Sequence, residues 1–178
     1  MKILVLNGSP RPKGNTKAMV TAFAEGAESV GHQVDIVDVC KLHIHGCNAC
    51  EYCHTKGNGI CVQQDDMQKI CTQFGDADML VVASPIYFAG IPGQLKCVVD
   101  RFYAVFNPQG SNSSGTSKKF AAILSSAMPG VYGGATAVLK DSLAAGLGLE
   151  VVSVLTANGE ENGSAAKLAE LRNLGKSL

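Results

Sequence analysis

Two stretches of the 178-residue chain carry residue types at spacings that can do chemistry. In the first, KILVLNGSPRPKGNT over residues 2–16, an apolar run stops at Asn7-Gly8-Ser9-Pro10 and a helical pattern opens at Asn15-Thr16. A strand, a tight polar loop and a helix start gather backbone N–H groups into one concavity, where the helix dipole adds partial positive charge and favours an anion. Ser9, Asn15 and Thr16 add side-chain hydrogen bonds and Arg11 a charge-assisted one. The loop has neither the Lys-Ser/Thr ending of a nucleoside-triphosphate loop nor the G-x-G-x-x-G spacing of a pyrophosphate turn, so a terminal monophosphate is favoured. The plain alternative is a turn in which Ser9 and Asn15 only cap the helix.

The second stretch is GCNACEYCHTKGNGIC, in which Cys47, Cys50, Cys53 and Cys61 are spaced by two, two and seven residues. Three thiolates on one tight loop, with a fourth reachable across Gly57-Asn58-Gly59, can surround a [4Fe-4S] cube as in bacterial ferredoxins. Zinc is a weaker fit, because zinc modules use two separated pairs. His43, His45 and His54 flank the run as alternative ligands or solvated side chains, and Cys40, Cys71 and Cys97 read as small buried hydrophobes.

These stretches need elements to position them. Ile3 to Leu6 is apolar without alternation, as a parallel strand covered on both faces must be. Helical spacing over residues 16–30 follows, then a near-edge strand over 33–39 and an irregular cysteine-rich insertion over about 40–64. A helix over 65–74 with Asp65 as its N-cap, a strand over 78–83 and a helix over 94–105 come next. Residues 107–119, rich in Gly, Ser and Asn, read as a mobile loop. Strands over 120–125 and 151–155 alternate with helices over 135–146 and 164–174. Asp100 and Arg101 read as a structural ion pair or subunit contact. Five apolar strands alternating with helices predict an α/β flavodoxin-like three-layer sandwich, a five-stranded parallel sheet in the order 2-1-3-4-5 with helices on both faces. A ligand then lies at the carboxyl ends of the strands, among the loops after strands one, three and four.

The length suits one domain over residues 1–178. Fifteen basic and fifteen acidic side chains cancel, which argues against a nucleic-acid or membrane-surface partner. No apolar run is longer than a strand needs and no signal region opens the chain, so a cytoplasmic location is expected, with the seven cysteines as thiols or metal ligands.

Strand three runs into SPIYFAGIPG. Pro85 fixes one φ, and Ile86, Tyr87 and Phe88 offer backbone amides and two rings at the expected crevice, a surface that suits a flat isoalloxazine. Alternatively, Tyr87 and Phe88 are core or interface aromatics. GSPRPKGNT, then SPIYFAGIPGQLKCVVDR, then a Gly/Ser loop after strand four together resemble the flavodoxin-like NAD(P)H-dependent FMN reductase family over nearly the whole chain. That resemblance implies FMN phosphate at Ser9, Arg11, Asn15 and Thr16, the ring at Pro85, Ile86, Tyr87 and Phe88, and a far border at Ser125, Ser126 and Ala127. It implies a homodimer or tetramer with the flavin near the subunit interface, partly covered by the loop from Asn107. The reaction implied takes electrons from NAD(P)H through FMN to a quinone, nitro compound, flavin or protein acceptor, with no catalytic side chain. The cysteine spacing also resembles the iron–sulfur flavoproteins, in which a cluster exchanges electrons with FMN and ferredoxin-type partners; other relatives carry a similar loop without metal. An electron carrier is therefore the alternative, although zero net charge is unlike the acidic carrier flavodoxins. A thiol- or metal-sensing module would leave both flavin-type loops unexplained.

Overall fold

The computed structural model describes residues 1–106 and 118–178, so the expected loop over 107–119 lies outside the described residues as far as 117. Its strands are β1 (Lys2–Asn7), β2 (Gln33–Asp38), β3 (Met79–Pro85), β4 (Lys119–Ser126) and β5 (Glu150–Asn158). They form one parallel sheet in the order β2-β1-β3-β4-β5, as expected. Val5 pairs with Ile36 on one side and Val81 on the other, which centres the anion loop in the sheet. The helices are α1 (Asn15–Glu28), the single turn α2 (Tyr52–Thr55), α3 (Met67–Asp76), α4 (Gly93–Arg101), α5 (Gly133–Thr136) and α6 (Ala165–Lys176).

Successive side chains of a strand point to opposite faces, so the central strands need apolar residues at every position. Leu4, Leu80, Val82 and Phe120 pack with Ile70, Leu95 and Leu139 on one side of the sheet. Ile3, Val5, Val81 and Ile123 pack with Val20, Phe23 and Leu171 on the other. On that second side α1 and α6 meet through bare backbone. A Cβ added to Gly26 would stand 2.1 Å from the Arg172 carbonyl oxygen, and one on Gly175 would stand 2.3 Å from that of Phe23.

Several boundaries differ from expectation for identifiable reasons. Asp65 precedes α3 rather than capping it directly, yet its Oδ1 still accepts the Met67 N–H at 3.1 Å. The helix expected over 94–105 tightens after Arg101 into a 3₁₀ turn, Phe102–Val105, and α5 widens into a π-helix over Ala137–Ala144. Strand β5 reaches Asn158, three residues beyond expectation, and so brings the loop after it to the carboxyl edge. Among the described residues no helix is long and apolar enough to cross a membrane.

Asp100 and Arg101 do not pair with each other. Lys96 Nζ binds Asp100 at 2.6 Å, while the Arg101 guanidinium, 1% exposed, donates to both carboxylate oxygens of Asp65, 8% exposed, at 2.7 and 3.1 Å. Residues adjacent on a helix face different ways, so neighbours in sequence are poor partners in space. Arg101 also donates to the carbonyls of His45 and Gln63, and Asp65 accepts the His45 N–H. The pair thereby closes the neck of the cysteine-rich loop. Burial acts to raise the Asp65 pKa, but the hydrogen bonds from Arg101 and from the His45 and Met67 amides hold it below its usual value of 3.8. Arg101→Ala, which leaves Asp65 buried without its cation, is expected to lower the unfolding free energy at pH 7 by about 3 kcal/mol in urea titrations. A carboxylate with a depressed folded pKa stabilises fully above its unfolded value and loses that contribution as pH falls through the folded one. The gap between wild type and variant should therefore narrow below about pH 4; a gap that widens there would contradict the assignment.

Candidate functional site

The anion loop is organised by Asn7, the last residue of β1 and a buried one. Its Nδ2 donates to Asp38 Oδ1 at 2.9 Å, at the end of β2, and its Oδ1 accepts the Ser9 N–H at 3.2 Å. Ser9 Oγ in turn accepts the Arg11 N–H at 3.3 Å, and the Arg11 carbonyl accepts the Gly14 N–H at 3.1 Å. These local bonds let a buried side chain stand in for backbone pairing and fold the loop back on itself. Gly8 donates to the Ala83 carbonyl at 2.8 Å, and a Cβ there would lie 2.7 Å from Leu95 Cδ2, so β3 and α4 press directly on the loop.

Asp38 receives Lys17 at 3.0 Å and Lys41 at 2.8 Å as well as Asn7. Burial would raise its pKa, but these hydrogen bonds overcome that and hold the carboxyl well below the usual carboxylate range. Two of the nearby cations are thus neutralised. Arg11 and Lys13 are exposed and, among the described residues, neither has a carboxylate partner; Arg11 lines the cavity described next and can offer its charge to an incoming anion.

Ser9, Arg11, Asn15, Thr16, Pro85, Ile86, Tyr87, Ser125, Ser126 and Ala127 line one cavity of about 370 Å³ at the carboxyl edge of the sheet. Thr16 Oγ1 and Ser125 Oγ lie 2.7 Å apart, joining the loops after β1 and β4. Phe88 stands apart from the cavity lining. Tyr87 and Gly90 exchange two backbone hydrogen bonds of 2.9 Å, and the residues between them, Phe88 (φ +48) and Ala89 (φ +60), are both left-handed. Such a turn aims the Phe88 ring into solvent, fully exposed, and strain of this kind costs about 1–3 kcal/mol per residue. The Ala89 carbonyl rests against α5, where a Cβ on Gly134 would come within 2.4 Å of it. The N–H groups of Ile86 and Tyr87, expected to face a ligand, are taken by the carbonyls of Ser125 (2.8 Å) and Gly90 (2.9 Å). Backbone donors are therefore fewer in this turn than its sequence suggests.

Gly159 and Asn162, from the loop between β5 and α6, also line the cavity and were not anticipated. The signal was present in the small, polar run GEENGS directly after the last strand, at the edge where the other loops gather.

The cysteine loop is a separate feature. Cys47 and Cys50 are exposed, Cys61 is half-buried and Cys53 is buried, and all are free thiols. Burial, with the nearby Cys61 and Cys47, raises the Cys53 pKa. Ala49 (φ +50) and Glu51 (φ +57) are left-handed between the first three cysteines. Tyr103 ties the loop to the turn after α4, its hydroxyl donating to the Glu51 carboxylate at 2.9 Å and its carbonyl lying 2.7 Å from His54 Nε2. Among the described residues no three His, Cys, Asp or Glu side chains are grouped to hold a metal ion, so the loop as folded is not a ready four-thiolate cage. Cys40, Cys71 and Cys97 are half-buried, and burial pushes the Cys71 thiol up to about 11.

The profile of the NADPH-dependent FMN reductase family matches residues 1–173. An iron–sulfur flavoprotein of Archaeoglobus fulgidus is 35% identical over 101 residues, covering 57% of this chain and 48% of that protein. One from Methanosarcina thermophila is 36% identical over 101 residues, covering 57% and 52%. The chain spans about half the length of the curated relatives it matches. An NAD(P)H:quinone oxidoreductase from Methanothermobacter marburgensis superimposes with a TM-score of 0.79 at 19% identity, covering 99% of this chain and 95% of that one, which establishes a shared fold.

Asn7→Leu removes the amide that joins β1, β2 and the anion loop, leaving the Ser9 N–H without its acceptor and Asp38 short of one donor. Each group left unsatisfied costs about 1–3 kcal/mol. Urea unfolding should show a loss of about 3 kcal/mol, and an unchanged midpoint would show that the loop does not depend on this bridge.

Proposed function

The chain belongs to the NADPH-dependent FMN reductase family, and from that premise we propose that it binds FMN in the cavity at the carboxyl edge of the sheet and acts as an NAD(P)H oxidoreductase. The observation that carries this reading is the pairing, within one cavity, of a loop whose Arg11 is unneutralised among the described residues with a wall suited to a flat ring. A phosphate fits the first part, where Arg11 supplies charge and Ser9, Asn15 and Thr16 supply hydrogen bonds. An isoalloxazine fits the second, against Pro85, Ile86 and Tyr87, with Ser125, Ser126 and Ala127 on the opposite border. When bound, FMN accepts two electrons from a reduced nicotinamide and passes them to an acceptor; a quinone, a nitro compound, a free flavin or a protein are the classes proposed here.

The chain's own residues bind and position. Asn7 and the Thr16–Ser125 hydroxyl pair hold the loops in register, so a phosphate anchored at Arg11 places the attached ring at the β3 turn without further ordering. Phe88, outside the cavity, is not assigned to the ring. No side chain is required to donate or remove a proton.

A cluster-bearing electron carrier is the second reading, favoured by the spacing of Cys47, Cys50, Cys53 and Cys61 and by what the relatives are called. Because the thiols are not gathered in the structure, no step is assigned to a cluster. Iron and sulfide assays on protein purified without oxygen decide it: iron and sulfide in equal amounts, about four of each per chain, bring this reading forward, and their absence leaves a flavin enzyme alone.

Anaerobic mixing of FMN-loaded protein with NADH or NADPH is expected to bleach the flavin absorption. Protein that refuses FMN at micromolar concentration, or bound FMN bleached by neither nucleotide, overturns the reductase reading. Arg11→Ala is expected to weaken FMN binding about 10- to 100-fold, the value of one charge-assisted hydrogen bond. Riboflavin, which has no phosphate, should bind the variant and the wild type equally; an equal loss for both would place Arg11 elsewhere.

A further inference from the structure

Phe88 is the most exposed large apolar side chain among the described residues, and its turn is strained to hold it there. A two-residue turn with both central φ values positive favours Asn-Gly, yet here the pair is Phe88-Ala89. The two Tyr87–Gly90 hydrogen bonds and the contact of the Ala89 carbonyl with Gly134 keep the turn from relaxing. Strain that the surroundings over-determine points to a use. At full exposure the ring gains nothing from its own chain, so its use lies outside it.

A socket of matching chemistry lies on the same helical layer. Where α4 gives way to the Phe102–Val105 turn, beside the end of the π-helix, there is a cavity of about 280 Å³ lined chiefly by Val99, Phe102, Tyr103, Phe106, Leu143 and Leu147. An apolar cavity of about 150 Å³ is enough to hold a benzene ring. Tyr103 and Phe106 stack there with centroids 6.2 Å apart, and their edges and faces suit a third aromatic.

Helices α4 and α5 pack on one side of the sheet through Leu95, Val98, Ala135 and Leu139. The Phe88 turn sits at the starts of both, a few residues before α4 and against Gly134 of α5, whereas the cavity sits at their far ends. The nine residues of α4, about 14 Å of helix, lie between them. From this placement we propose that the partner of Phe88 is a second copy of this chain, joined through the face of α4 and α5, with Phe88 of each copy seated in the other's cavity. A two-fold axis lying in that face and crossing the helices reverses their direction, so knob meets socket twice and the assembly closes. The charges of the two helices permit it, since Lys96 and Lys140 balance Asp100 and Asp141 and Arg101 is already paired with Asp65.

The test is sedimentation equilibrium of the intact chain, wild type against two variants. Wild type should be a dimer at micromolar concentration. Phe88→Ser removes the knob from an exposed turn, and Ser142→Trp plugs the socket from its exposed rim. Each should raise the dimer dissociation constant at least about 30-fold, the loss expected of one buried anchor. An equimolar mixture of the two restores one knob in one socket, so it should associate more tightly than either variant alone, a result that misfolding does not produce. A wild type that is monomeric at micromolar concentration, a Phe88→Ser protein that dimerises as wild type does, or a mixture no tighter than its components overturns the proposal. Oligomers that keep growing with concentration overturn the two-fold closure. Should Ser142→Trp not fold, Ser142→Phe carries the same comparison. Neither Phe88 nor Ser142 lines the cavity assigned to FMN, so that reading stands or falls separately.

Discussion

The buried amide of Asn7 is the joint on which the site is built. It satisfies Asp38 at the end of β2 and the Ser9 N–H at the start of the anion loop, and so fixes the loop to two strands at once. A group with both donor and acceptor duties inside a low-dielectric interior has few alternative arrangements, because each would leave a polar atom unpaired. Asp38 completes the constraint by drawing in Lys17 and Lys41, while Arg11 stays uncommitted at the cavity among the described residues. Binding chemistry thus follows from a packing decision one layer below the surface.

The sheet was legible because two-sided burial demands a pattern that survives in one dimension. The runs ILVL, MLVVA and FAAIL have no polar interruption, and only central parallel strands tolerate that. The anion loop was legible for a similar reason, since its turn residues and helix start are consecutive. The partner of Arg101 was not. Asp65 lies 36 residues earlier and is met only once α3 and α4 pack on the same side of the sheet. Asn162 was hidden in another way: it joins the cavity lining only because folding carries the loop after β5 to the edge where the other loops gather. Phe88 was legible only as an aromatic at a strand end; the left-handed turn that points it outward is set by backbone geometry that composition does not reveal.

The cysteine-rich insertion is held at its neck and at one flank, through Asp65–Arg101 and through Tyr103 with Glu51 and His54. Both anchors come from α4 and the turn after it, the segment that follows the β3 turn lining the cavity. The cysteine-rich insertion and the β3 turn therefore share one support, although α3 and β3 separate them in sequence.

Helix α1 begins at the anion loop and, some 11 residues or roughly 17 Å farther along its axis, rests on α6 at Gly26 with no side chain intervening. Main chain against main chain has no rotamers through which to absorb a disturbance. Helix α6 accordingly acts as a fixed stop for α1, and bulk at that crossing has only backbone to push against. The start of α1, and with it the cavity edge that Asn15 and Thr16 line, is in this sense set from the opposite pole of the protein.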